Sequence, residues 1–494
     1  TMQTTVAAWL MATLTPSPVM VSLVQTASTA PALVFGLVAG AIGDIVDRRR
    51  IIVVTQAVLI AATALLGLAA LAGLVGPLTL LGLTFVIGAA FVFYQPAQSS
   101  SVNDLVSRAE LSQAVSLNAV AFNVSRAFGP ALAGALAAWV GSGSALIASS
   151  VFFAGMIFAA RRLPPRPPAH LGVPERLLSG VQSGVRYVRH SPAMRAFIVR
   201  TLSFTVCASA LWALLPVIAR DQLALGAGGY GFLFGTFGVG AVAGAISIPR
   251  QLKVRSLNRV VFTAMVLWAA ASVLIAATLD VWFAAAGAFG CGAAWVTVHA
   301  SLSTGTQTTA PAWVRTRAVA MNLVAVQACL ALGSPLWGWV ASVFDTRFAM
   351  ALSAAILLAL VLLNRGVRVR MGSEADVTPG QHDDLGIDVE PGPDDGPILI
   401  QIEYQIAPPD REAFLQAIHR VGPTRRRNGA TSWRVFRAIG AEGRYVERYI
   451  VESWAEYVRL RSRMTMSDRA VLSQAQDLQS AEVPLKVTRF LGLD

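Results

Sequence analysis

Long apolar runs broken by short polar punctuation fill residues 1–365. No charged residue stands between Ile51 and Asn103, a stretch too long for one membrane span of about 20 residues and sufficient for two, divided at "AGLVGPL". The pattern predicts twelve spans, at 1–15, 18–42, 51–73, 77–101, 112–138, 143–160, 194–218, 229–249, 257–278, 281–303, 316–341 and 346–365. Gly and Pro mark the breaks, at "TPSP", "VGPL", "GSGS" and "GAGGYG". Buried core helices of a soluble protein would not recur so often. The first run would reach only ~22 Å across a hydrocarbon core of ~30 Å, so the sequence is expected to begin inside a longer span.

Beyond 365 the pattern changes. Residues 366–396, with "GSEADVTPGQHDDLGIDVEPGPDDGP", are acidic, rich in Pro and Gly and without apolar period, which predicts a flexible linker. From 397 to 494 short alternating segments ("ILIQIEYQI", "TSWRVFRAI", "RYVERYIVESW", "LKVTRFLG") predict strands. The segments "PDREAFLQAIHRV" and "AEYVRLRSRM" predict helices. The order βαββαβ suggests a small α+β domain of ferredoxin-like type.

Charge then fixes an orientation. Only 13% of the 494 residues are charged, against about 25% in soluble domains. Residues 1–372 hold 24 Arg and Lys but 8 Asp and Glu, clustered in short loops between apolar runs. With the loop of Arg48–Arg50 in the cytoplasm and the sides alternating, 21 of those 24 fall on the cytoplasmic side. Arg220 and Arg347 fall outside, and Arg126 falls within a span. That skew predicts both termini in the cytoplasm. It also explains the net charge of +12 without any nucleic-acid partner. Nearly all the basic residues are Arg, which points to a GC-rich bacterial genome and hence to the inner membrane. Cys207, Cys291 and Cys329 stand alone in apolar runs, so neither a metal site nor a disulfide framework is expected. The bridge at 161–193 begins Pro-rich and becomes an amphipathic basic helix, with Leu177, Leu178, Val181, Val185 and Val188 near one face. It is expected to lie on the anionic inner leaflet.

The chain repeats itself at an offset of 204: "GLVAGAI" (36–42) returns as "GAVAGAI" (240–246), and "LNAVAFNVSRAFGPALAG" (117–134) as "MNLVAVQACLALGSPLWG" (321–338). Two six-span halves in parallel repeat, 1–160 and 194–365, fit an all-α transporter layout. Between spans 2 and 3 stands "GAIGDIVDRRR". Here the sequence resembles the major facilitator superfamily, whose signature at this loop is G-x-x-x-D-R-x-G-R-R. Gly40, Asp44, Arg48 and Arg49 match its spacing and Arg50 extends the basic run, while Ile45 and Asp47 depart from it. The resemblance implies a gating role for this motif. By charge alone Asp44 could face the positive N-terminal end of span 11 near Thr316, and the Arg run could simply anchor the inner leaflet.

Several residues carry candidate chemistry. Arg126 is an intramembrane charge, read either as functional or as a tie to backbone carbonyls. Gly129, Pro130 and Gly134 loosely resemble the span 5 motif of antiporter branches of the superfamily, and would allow close helix packing. The superfamily's cavity is lined by spans 1, 4, 7 and 10. These offer Gln3 and Trp9, then Phe91, Tyr94 and Gln95, then Phe204 and Trp212, then Trp295 and His299. The set is aromatic and nearly uncharged, which suits an apolar or amphipathic small molecule. No acid lies deep in a span, so proton coupling would have to use a border acid, His299, or nothing. "YQPAQSS" and "SRAELSQAVSLNAV" resemble the bacterial efflux branch of enterobactin-exporter-like and macrolide-efflux-like proteins.

The tail resembles antibiotic-biosynthesis-monooxygenase-like domains. His419, Trp433 and Tyr445 make no recognisable catalytic set there, so dimerisation of the chain through the tail, or sensing of the transported compound, is expected instead. The leading expectation is an exporter of hydrophobic or amphipathic compounds working by alternating access among membrane lipids, with no cofactor and no catalytic residue. Lipid movement between leaflets, and a membrane-tethered enzyme or sensor acting through the tail, are the other two readings.

Overall fold

The computed structural model describes residues 2–105, 110–162, 177–380 and 390–493; side chains are described there except at 37, 40, 41, 43–45, 100, 102–105, 111–116, 118–120, 122–124, 126, 127, 177–181 and 183. The long helices are α1 (Met2–Leu14), α2 (Pro18–Ile45), α3 (Arg48–Leu71), α4 (Pro77–Leu105) and α5 (Leu111–Arg161). After α6 (Leu177–His190) come α7 (Pro192–Val217), α8 (Ala227–Val254), α9 (Leu257–Ala277), α10 (Val281–Thr309), α11 (Ala312–Val343) and α12 (Thr346–Leu363). Ten of the described helices are long and apolar enough to cross a membrane. The difference from twelve has two sources. α1 has only 13 residues, and α5 runs on through Gly141 as one element. Gly141 adopts φ 82°, a conformation that costs a residue without a Cβ little, and the chain reverses there with no loop.

The chain divides into two compact units: Thr1–Val173 with Arg200–Leu302 and Leu323–Val367, and Pro174–Val199 with Ser303–Asn322 and Arg368–Asp494. In the first unit, helix pairs are set by glycines at backbone contact. A Cβ on Gly88 of α4 would lie 2.7 Å from the Ser28 carbonyl of α2, and one on Gly67 of α3 would lie 2.8 Å from the Gly143 carbonyl of α5. In the later helices Gly240 of α8 meets the Phe289 carbonyl of α10, and Gly333 of α11 meets Ser209 of α7. The Trp337 indole of α11 donates to the Val206 carbonyl of α7 at 2.7 Å. α9 packs on α12 as α3 packs on α5. The pairing of the first half thus recurs in the second, as the repeated sequence does.

The second unit holds the tail. Strands β1 (Ile398–Gln405), β2 (Ser432–Arg437), β3 (Arg444–Val451) and β4 (Lys486–Leu491) form one antiparallel sheet in the order β2-β3-β1-β4. Alternation of buried and half-buried residues along β1 turns Ile398, Ile400, Ile402 and Tyr404 inward. Phe414, Ile418 and Val421 of α14 (Arg411–Asn428) and Tyr457 and Leu460 of α15 (Trp454–Arg463) cover them. Two findings depart from the expected pattern. A further helix, α16 (Met466–Gln476), stands before β4. It is announced by a capping box, in which Thr465 and Asp468 each cap the other's backbone N–H. The stretch expected to be a flexible linker also has attached parts: α13 (Glu374–Val377) is helical, Gly380 donates to the Met464 carbonyl at 2.9 Å, and the Trp454 indole donates to Glu390 at 3.0 Å.

The tail core encloses an ion pair. Arg425 Nε donates to Glu447 at 3.0 Å, and both are buried. Glu447 also accepts from the Trp433 indole at 2.9 Å and from the Tyr404 hydroxyl at 3.2 Å, while the guanidinium lies 4.6 Å from the Tyr449 ring centre. Burial, followed by the neighbouring Glu447 charge, pushes the Tyr404 phenol up. Removing one partner of such a pair strands the other. Glu447→Gln is therefore expected to destabilise the tail by about 3–5 kcal/mol. A fall in its thermal unfolding midpoint in the full chain measures this; an unchanged midpoint refutes the role given to the pair.

Candidate functional site

Gly40 and Asp44 lie in α2 and Arg126 in α5, but their side chains fall outside those described, and so does the expected approach of Asp44 to Thr316. The basic run begins α3. Asp47, which departs from the motif, is the N-cap of that helix, accepting from the Arg49 amide at 2.9 Å. Arg50 is exposed, and Arg48 and Arg49 are half-buried. Three of the border acids are also engaged. Asp280 accepts from the Trp282 amide at 2.7 Å and Asp345 from the Phe348 amide at 2.6 Å, capping α10 and α12, and Asp221 pairs with Arg220.

The aromatic cavity candidates fall into two connected sets. Trp9 of α1 stacks on Tyr230 of α8 with ring centres 5.5 Å apart. Phe91 sits edge-on to Tyr94 and to Phe153, and Gln95 is exposed. The four from the second half form one aromatic cluster. Trp295 lies 4.2 Å from His299, 5.2 Å from Trp212 and 5.8 Å from Phe204. Trp268 of α9 and Phe237 of α8 join it, at 5.3 Å from Phe204 and 5.3 Å from Trp212, and Phe234 of α8, 5.7 Å from Trp212 and 5.2 Å from Tyr230, links it to Trp9. These three were missed because α8 and α9 are not among the spans expected to line a cavity. Phe204 and Trp295 are sealed inside the cluster, so its accessible edge is Trp212 and His299, both half-buried. Gln3 is also buried, with neither amide atom hydrogen-bonded.

The two sets of helices meet near the ends remote from Arg48. A Cβ on Gly134 of α5 would lie 2.4 Å from the Gly231 Cα of α8, and one on Gly231 would lie 2.6 Å from the Gly134 Cα. Gly235 of α8 faces the methyl of Ala131. Gly129 and Pro130 precede this crossing by one turn of α5, and the Pro130 carbonyl lines it. A second crossing joins α2 to α11. Gly338 packs on Ser22, and the Thr26 hydroxyl donates to the Ala331 carbonyl at 2.8 Å. Arg220 supplies a polar tie. Its guanidinium donates to the Thr15 carbonyl beyond α1 at 2.9 Å and is held from the other side by Asp221 at 2.6 Å. It sits on a π-helical turn, Ile218–Gln222, that follows Pro216. By sequence Arg220 was merely one of two exceptions to the orientation rule.

Arg200 of α7 is a second residue that sequence did not single out. It is only 2% exposed, and its Nη2 donates to the Asn364 and Val367 carbonyls at 2.9 and 3.1 Å. Asn364 caps the end of α12, where a helix is partially negative, and Val367 ends the short 3-10 turn that follows. No local signal in the sequence separates Arg200 from the basic residues of the neighbouring loop.

A family model described as transmembrane secretion effector matches residues 1–494. No curated protein matches the chain. Among solved structures, the nucleoside transporter NupG superposes with a TM-score of 0.61 at 12% identity, over 74% of this chain and 94% of that one. A bacterial homologue of the human lysosomal transporter Spinster, in an inward-facing and unoccupied conformation, gives 0.57 at 12% identity, over 74% and 92%. At such identities the likeness is one of fold.

The crossing of α5 and α8 leaves no room for a side chain. Gly231→Val is expected to force the helices apart, lowering the thermal midpoint of the purified chain by an amount equivalent to about 1–3 kcal/mol. Arg220→Leu should instead leave the fold intact and raise thiol labelling of a cysteine placed at Thr15. Unchanged labelling would show that Arg220 does not hold this end shut.

Proposed function

The chain belongs to the major facilitator superfamily of transporters, a multi-pass membrane family, and from that premise we propose that it exports hydrophobic or amphipathic small molecules by alternating access. The observation that carries the reading is the seam between halves. Backbone-close crossings of α2 with α11 and of α5 with α8, together with the Arg220 tie, gather at one end of the spans. A seam closed at one end and built from separable surface contacts is what a rocking carrier needs. On the positive-inside reading of the basic loops the opposite end is cytoplasmic, and the closed end faces outward. In the same reading the spans number twelve, with α5 counted as two about Gly141 and α1 counted as one. The tail is read as ferredoxin-like from its strand order.

The cluster edge supports the proposed substrate class. Trp212 and His299 present an aromatic surface, and every acid in the spanning region stands at a span border in the sequence. An apolar or amphipathic molecule can pack there without stranding a charge. The engagement of Asp280 and Asp345 in helix caps leaves Asp44, Asp104 and His299 as the groups to examine for coupling.

Export of a panel of amphipathic dyes and drugs from cells, with and without a proton uncoupler, tests the reading. The wild type is expected to export at least one compound. Trp212→Ala should raise its half-saturating concentration about ten-fold, as loss of one aromatic contact worth ~1.4 kcal/mol requires. Asp44→Asn should lower export at unchanged expression. If the wild type exports nothing on the panel while purified protein moves labelled lysolipid between leaflets, the substrate assignment is wrong.

A further inference from the structure

The second unit gathers three separate parts of the sequence: Pro174–Val199 with α6 and the first turns of α7, the junction of α10 with α11 at Ser303–Asn322, and the tail from Arg368. Trp313, at the start of α11, is the meeting point. The Arg463 guanidinium of α15 lies 4.5 Å from its ring centre, and Tyr187 of α6 meets it edge-on at 5.5 Å. Arg463 donates to Glu456 at 2.6 Å and to the Asn428 carbonyl at 3.1 Å. The same Glu456 oxygen accepts from Arg186 of α6 at 2.9 Å, and its other oxygen from Arg459 at 3.0 Å. One carboxylate of the tail therefore holds guanidiniums from two elements, while the aromatic pair ties both to α11.

Backbone packing runs alongside. A Cβ on Gly184 of α6 would lie 3.2 Å from the Arg317 Cβ of α11. Gly372 donates to the Thr308 hydroxyl of α10 at 3.3 Å, and a Cβ there would lie 2.1 Å from the Thr308 carbonyl. α14 of the tail packs on α6. The face of α6 that includes Gly184, Tyr187 and Val188 is buried against protein, whereas Val185, expected on the lipid-facing stripe, is exposed. Burial, opposed by Glu456, leaves the Arg463 guanidinium below its ordinary range, and burial pushes the Tyr187 phenol up.

We propose that the tail is a brace. It clamps α6, the helix of the bridge between the halves, onto the α10–α11 junction, and the three travel as one body through the transport cycle. Glu456, Arg186 and Trp313 are its positioning residues; none of them touches substrate. A charged, aromatic and backbone-close interface of this kind is suited to staying assembled, unlike the seam between the halves.

The proposal rests on the transporter reading for its cycle, but its first readout does not. In the full chain, Gly184→Cys with Arg317→Cys should form a disulfide under mild oxidation, since the paired Cβ positions lie near the distance such a bond requires. The native cysteines are buried, so the new pair can be scored by mass spectrometry. The oxidised protein should export the best panel compound within about two-fold of the reduced protein, because α6 never leaves α11. Arg186→Gln with Trp313→Ala should cut disulfide yield and export about five-fold each, as loss of a charge-assisted bond and a cation–π contact predicts. Arg186→Lys should restore much of both. Failure of the disulfide to form refutes the clamp. Activity lost on oxidation and regained on reduction shows that α6 and α11 separate in each cycle, which refutes the single body. Full export by the double variant shows that the brace is dispensable. If the unmodified chain exports nothing on the panel, the substrate reading fails, and disulfide yield in the wild-type and double-variant backgrounds still decides whether the clamp exists.

Discussion

Helices in a bilayer gain little from hiding apolar surface from one another, because lipid tails are as apolar as leucine. Association must come from close packing, and close packing of helices requires the absence of side chains. Here that constraint is met repeatedly by glycine at the points where backbones touch. Gly134 and Gly231 approach so closely that neither position admits even alanine without movement. Gly88, Gly67, Gly240 and Gly333 do the same within each half. The aromatic cluster, the Arg220 tie and the order of helix pairs all depend on these approaches being held.

Two kinds of contact thus coexist. Those within a half and within the tail assembly combine packing with buried polar bonds, such as Arg200 on the end of α12 and Arg425 on Glu447. Those between the halves include backbone-close crossings and, among the described residues, polar ties at Arg220 and Thr26. A surface that must part and rejoin benefits from few polar bonds, since each broken one leaves a buried group to be satisfied elsewhere. On the brace proposal the tail contacts never part, and there Glu456 gathers three arginines.

Much of this was legible in the chain. Apolar runs with Gly and Pro punctuation located the long helices, and alternation located the strands of the tail. The tail's α16 was missed although Thr465 and Asp468 carried the signature of a helix start, because its apolar face is short and interrupted by polar residues. α6 was recognisable as amphipathic, but its pattern does not report that Tyr187, off the expected stripe, meets Trp313 more than 120 residues away. Arg200 and Arg220 looked like ordinary loop-end bases. Their importance lies in carbonyls supplied by distant helix ends, which no local pattern reports.

The reversal at Gly141 has a consequence beyond packing. The other connections at that end of the spans, at 15–17, 72–76, 223–226, 278–280 and 344–345, are no longer than five residues, and this one is a single glycine. A face so nearly bare of loops gives a binding protein scarcely any chain to grip. A binding reagent raised against it would have to recognise helix tips rather than a flexible epitope, and an affinity tag inserted there would find no slack to occupy.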